Sequence, residues 1–186
     1  MEQAVKDAIK ASVQAFKLPR YEEIPDMGLY LDQTVKYVSE HLASLQSISL
    51  TPSMVSNYVK QGLLEKPVKK LYHREQIAYL FFIATAKTVL SLEDIQILIR
   101  LQRQTYDAET AYQYFCREFE NILFFIFSLK DSVEEIGVDS TDEKTMLRNT
   151  IITVAHKIYL DKCFCALQGK ALNGVVTSSI SLAFSD

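Results

Sequence analysis

Apolar residues in this chain recur at spacings of three and four far more often than they alternate with polar ones, which predicts helices that each bury one stripe. Val5, Ile9, Val13 and Phe16 mark a first docking helix over residues 1–17, ended by Leu18-Pro19-Arg20. Pro25-Asp26-Met27-Gly28 has the chemistry of a turn. Asp32 is placed to cap a second helix whose Val35, Val38, Leu42 and Leu45 form one stripe ending near Gln46. Leu50-Thr51-Pro52 then restarts the chain. Thr51 is the N-cap, and Pro52 suits the first helical position because its missing N–H has no intrahelical partner there. The helix that follows, 52–61, stops at Gly62, since glycine accepts the left-handed conformation common just past a helix end. Val55, Tyr58 and Val59 share its apolar face, which leaves Ser53, Ser56, Asn57 and Lys60 on the opposite one.

Residues 66–72, Lys-Pro-Val-Lys-Lys-Leu-Tyr, read as a short hairpin or wing. From Glu75 to Leu90 the pattern is apolar on every side, so this helix is expected at the centre of its domain. Ser91-Leu92-Glu93-Asp94 is a capping box opening a helix with Ile95, Leu98 and Ile99 inward. Beyond Asp107, Tyr112, Phe115, Phe119, Ile122, Ile126 and Leu129 recur as a heptad-like seam. An acidic connection, 131–139, leads to a last long helix with Leu147, Ile151, Val154 and Ile158 on one stripe. The expected fold is all-α: a head over 1–106 with a helical extension, a long antiparallel helical hairpin over 107–168, and a flexible tail over 169–186. The seam, with the excess of Phe124, Phe125 and Phe127, points to a homodimer assembled through the hairpin.

Charge changes this picture locally. The chain carries −3 overall, yet residues 51–74 hold Lys60, Lys66, Lys69, Lys70 and Arg74 against Glu65 alone, so the remainder carries −7. A basic patch on an acidic body is what local phosphate contact needs. The longest strongly apolar run, Ile122 to Leu129, is far below the roughly 20 residues of a membrane span, and no membrane partner is expected. The first 16 residues mix charges into a helical pattern without the apolar block of a secretory signal, so the expected address is cytoplasmic.

No catalytic constellation emerges, and an enzyme is not expected. His41, His73 and His156 fall on separate elements with no nucleophile or paired carboxylate beside them. Cys163 and Cys165 sit two residues apart, which on a helix separates their side chains by about 200°. Sharing a metal would take Cys116 or His156 as well, so no metal and no cofactor are expected. The aromatic C-terminal half leaves room for a small apolar effector but selects none.

Three blocks carry a resemblance. Tyr58 and Gly62-Leu63-Leu64, the run Lys70 to Ile77, and Leu90-Ser91-Leu92-Glu93-Asp94-Ile95 are similar to the recognition helix, wing exit and capped helix of mercury-resistance-regulator (MerR) proteins. The runs Ile24 to Gln33 and Met54 to Lys60 resemble an uncharacterised bacterial family, domain of unknown function 1836. The resemblance implies a winged helix-turn-helix head that binds double-stranded DNA. Thr51, Ser53, Ser56, Asn57, Lys60, Lys69, Lys70, Tyr72 and Arg74 are then the candidate contacts. The chain departs where Ser56 and Asn57 replace the family's arginine and first tyrosine, and where the wing lacks a glycine at its tip. The expected function is a sequence-specific transcriptional regulator; the alternative is a non-catalytic protein-interaction module that kept the fold and lost DNA.

Overall fold

The computed structural model describes residues 1–137 and 140–172, which form α1 (Gln3–Ala11), β1 (Leu29–Tyr30), α2 (Leu31–Leu42), α3 (Pro52–Lys60), β2 (Leu71–Tyr72), α4 (Arg74–Ala86), α5 (Leu92–Thr105), α6 (Ala108–Ile126) and α7 (Asp142–Leu167). The described residues are thus mostly helical, with one two-stranded sheet. Thr51 caps α3 by accepting the Met54 N–H at 3.2 Å, and the Ser91 hydroxyl accepts the Asp94 N–H at 3.1 Å to open α5. Gly62 follows α3 at φ +73°. α4 is buried at every position from Gln76 to Ala86 except Phe82, so the other elements are laid around it.

Helix boundaries differ from expectation: α2 ends at Leu42 and α4 at Ala86, short of Gln46 and Leu90. α1 ends at Ala11, although Val13 and Phe16 still bury their side chains from the turns beyond it. Asp32 does not cap α2. It is exposed in the first turn, and the cap position falls to Tyr30, whose N–H donates to Gln33 Oε1 at 3.0 Å.

The two long helices are parallel, not an antiparallel hairpin. Their side chains meet in ascending order: Lys144 lies over the Tyr114 ring, Arg148 reaches Glu118 at 3.2 Å, and Tyr159 meets Phe127 with ring centroids 5.2 Å apart. At the start, Tyr106 and Thr141 bring their hydroxyls within 3.1 Å. The acidic connection is therefore no tight turn. Asn121, buried on α6, donates to the Glu134 carbonyl at 2.8 Å and accepts the Glu134 N–H at 3.2 Å, which holds the chain back along α6 so that α7 restarts at the same end.

The residues of the expected dimer seam are largely buried within one chain. Tyr112, Phe115, Phe119 and Ile122 are all under 5% exposed within one chain, with Ile126 and Leu129 half-buried against the same core. Phe16 meets Phe119 edge-on at 5.7 Å, Tyr112 lies 6.0 Å from Phe81, and Phe82 lies 5.7 Å from Phe115. The seam thus closes on the N-terminal segment and on α4 of the same chain. One core crosses the boundary expected at residue 106, and α1 packs on α7. Of the expected tail, Leu172 is buried and the Ala171 carbonyl accepts Gln46 Nε2 at 2.9 Å. Residues 173–186 lie outside the described residues. No helix among the described residues is long and apolar enough to cross a membrane.

Candidate nucleic-acid interface

α3 presents one face to its domain and the other to solvent. Val55 and Tyr58 are fully buried against α2, with burial pushing the Tyr58 hydroxyl up to about 12 and Lys87 Nζ lying 5.6 Å over its ring. The chain then bends inward, because the Leu63 and Leu64 N–H groups both donate to the Tyr58 carbonyl and both leucines are buried. Ser53, Ser56, Asn57 and Lys60 are exposed, as their spacing requires. Their chemistry is not equally free. The Ser56 hydroxyl donates back to the Pro52 carbonyl at 2.9 Å, and that of Thr51 is committed to its cap. Asn57 uses only Oδ1, accepting Gln61 Nε2 at 3.3 Å, so its amide NH₂ faces outward.

The wing is smaller than its sequence suggests, and its tip is lysine. Val68 and Leu71 exchange hydrogen bonds of 3.1 and 2.9 Å around Lys69 and Lys70, whose φ values are +50° and +69°. Two left-handed residues between paired neighbours are the signature of a type I′ turn, usually given to Asn-Gly. Each non-glycine there costs roughly 1–2 kcal/mol. β2 continues as an antiparallel partner of β1, with Leu29 opposite Tyr72 and Tyr30 opposite Leu71. Gly28, at φ +82°, permits this pairing: a Cβ there would stand 3.0 Å from Leu71 Cβ. Since β1 runs directly into α2, and α2 packs on α3, the lysine tip and the polar face of α3 share one scaffold.

Two expected contacts are turned away. Tyr72 is 4% exposed and its hydroxyl is raised by burial, because the sheet register sends it to the core. Arg74 is the first residue of α4, and its Nε donates to the Ile24 carbonyl at 2.9 Å while the guanidinium lies over Tyr21 and 3.9 Å from Asp26. It braces the turn before β1. Glu65, the local anion, pairs with Arg103 at 3.2 Å. Lys60, Lys66, Lys69 and Lys70 remain exposed, and among the described residues none of them pairs with a carboxylate.

A family model matches residues 19–115, just over half of the chain. The chain belongs to the family described as a domain of unknown function, DUF1836. No curated protein and no solved structure matches it. The DUF1836 segment contains both strands, α2 to α5 and the start of α6, and therefore the whole of the surface described above. Two residues of that surface escape a reading by motif. Lys66 is exposed at the wing entry, and Tyr30, 58% exposed, stands beside the wing through its pairing with Leu71. Local charge marks Lys66; nothing short of the strand pairing marks Tyr30.

Proposed function

We propose that this DUF1836 protein is a sequence-specific regulator of transcription that binds double-stranded DNA through a MerR-like winged helix-turn-helix. α3 enters the major groove while the wing holds the flanking backbone, a division in which base contacts specify and phosphate contacts position. The observation that carries this reading is the Lys69–Lys70 turn. Two cations occupy the two positions where asparagine and glycine would be least strained, at the tip of a hairpin anchored beside an exposed polar helix face. Strain of this kind persists where something other than folding keeps the residues.

On α3 the reader is Asn57, whose amide can bond the N6 and N7 edge of adenine, with Lys60 one turn further on. Selection of bound duplexes from a random pool tests the assignment. Wild type yields a motif, and Asn57→Ala relaxes one base pair of each half-site at an unchanged salt dependence; an unaltered motif removes Asn57 from the reading.

A two-fold DNA site calls for two copies of the chain. Leu160, Phe164 and Leu167 of α7, each 46–57% exposed and on one face at helical spacing, offer a second copy an apolar stripe. The interaction-module reading draws on a different observation. Tyr30, Leu71 and Val68 lie in a row across the wing, and Tyr30 and Val68 are 58% and 60% exposed.

A further inference from the structure

Where the head meets the long helices, the packing leaves a cavity of about 340 Å³. Its floor and walls are Tyr79 and Phe82 of α4, Leu98 of α5, Phe115 of α6 and Leu147 of α7. That is the volume and the aromatic character of sites that enclose small organic ligands. Two cations line it, Arg117 of α6 and Lys144 of α7, the latter with its Nζ 5.3 Å over the Tyr114 ring. Glu143 is also there, but its carboxylate already accepts the Thr105 hydroxyl at 2.7 Å. Arg117 is exposed and pairs with no carboxylate among the described residues. An apolar slot with the Arg117 guanidinium on its lining suits a flat aromatic body that ends in an anion.

The walls of this cavity lead to the DNA-facing elements by direct bonds. Tyr79 and Gln102, both lining it, are joined by a 2.9 Å hydrogen bond, and Arg103 Nε donates to the Tyr79 hydroxyl at 3.2 Å. The same guanidinium pairs with Glu65, in the segment that joins α3 to the wing. Two turns back on α5, Gln96 Nε2 reaches the Gln61 and Gly62 carbonyls at the end of α3, at 3.4 and 3.5 Å. A ligand that shifts Tyr79 or Gln102 therefore acts on residues 61–72 without touching them.

We propose that this cavity is an effector site for a planar aromatic carboxylate, and that its occupation alters the segment from Gln61 to Tyr72. The site rests on the cavity itself; only its regulatory meaning rests on the DNA-binding reading. The test uses 2-naphthoate and its neutral counterpart 2-naphthalenemethanol, with binding followed by titration of the full chain and backbone motion by hydrogen exchange. 2-Naphthoate binds with a dissociation constant of roughly 1 mM or tighter. Arg117→Glu weakens it about tenfold and leaves the alcohol unchanged, whereas Ala111→Phe, which fills the slot from α6, abolishes both while helicity and melting stay near wild type. Bound naphthoate changes exchange at amides 61–72.

Failure of both probes to bind at about 5 mM overturns the site. Equal binding of acid and alcohol, or indifference of the acid to Arg117→Glu, overturns the ligand class. Binding with unchanged exchange at 61–72 overturns the effector role. None of these measurements contains DNA, so failure of the DNA-binding reading leaves their outcome intact.

Discussion

Lys162 on α7 donates from Nζ to the Ser44 carbonyl at 2.8 Å, in the turn that follows α2. The lysine is fully buried, and desolvation lowers its pKa from 10.5 to about 8. Between those values the unfolded chain binds the proton that the folded chain has lost, so this group's contribution to stability rises with pH from about 8 to about 10.5. Below about 8 the cost of the buried charge is fully present, on the order of 3 kcal/mol at 1.36 kcal/mol per unit. Lys162→Met is therefore more stable than wild type at pH 7, by an amount reduced through loss of the Ser44 bond. Urea melts from pH 7 to 10 show the gap shrinking as pH rises; a gap independent of pH contradicts the burial of the charged form.

Glu118 presents the complementary case. Its carboxylate is closed off between α6 and α7 and raised above the usual range by desolvation, with Arg148 Nε at 3.2 Å opposing that rise. Removing the arginine leaves the charge to the weaker support of Asn121 and Lys144. Arg148→Met destabilises the fold by about 2–4 kcal/mol at pH 8, below the figure for a fully buried pair because Arg148 is partly exposed. The loss is smaller at pH 5, because a carboxyl raised by desolvation is protonated more there than at pH 8. Thermal melts at the two pH values check the difference, and equal losses would place the carboxylate in contact with water.

The strain at the wing tip makes stability and binding move in opposite directions. Lys69→Asn with Lys70→Gly relieves two left-handed lysines and raises stability by about 1–2 kcal/mol, less than the summed strain because the glycine adds unfolded-state entropy. The same protein binds duplex DNA more weakly. Denaturant midpoints and DNA titrations on one preparation read both effects, and a variant that is more stable and binds as wild type does would detach the strain from function.

Phe119 tests the closed seam. It packs on Phe16 at 5.7 Å and Phe115 at 5.6 Å, with no exposure to solvent. Phe119→Ala lowers the stability of the chain by about 3–5 kcal/mol, the usual range for a buried aromatic, and leaves the dissociation constant of any dimer unchanged. Melting followed across a hundredfold range of protein concentration separates the two: a loss that appears as dissociation would return the seam to an interface between copies.

Local chemistry was legible in the sequence wherever it is local in space. Thr51-Pro52, Gly62 and Ser91 to Asp94 act within a turn of where they stand, and the 3.6 period separates Val55 and Tyr58 from Ser53 and Asn57. Periodicity names the face that is buried and not what buries it. The α6 stripe therefore suggested a second chain, when its partners are Phe16, Phe81 and Phe82 from far along the same one. The parallel course of α6 and α7 depends on Asn121 holding Glu134, a bond that no local pattern marks. Arg74 and Tyr72 adjoin the wing in sequence, but the sheet register and the first turn of α4 turn both of them inward.

Whether the surface formed by α3 and the wing grips duplex DNA is read from the salt dependence of affinity, because only phosphate contact releases condensed counterions. Anisotropy titrations of wild type and of Lys69→Ala with Lys70→Ala, between about 50 and 200 mM salt, give the slope of log affinity against log salt. Wild type gives a steep negative slope, flattened by roughly two units in the double variant for every duplex tested. Binding that ignores salt, an unchanged slope in the variant, or no binding to duplex DNA at about 50 mM salt contradicts DNA binding by this surface.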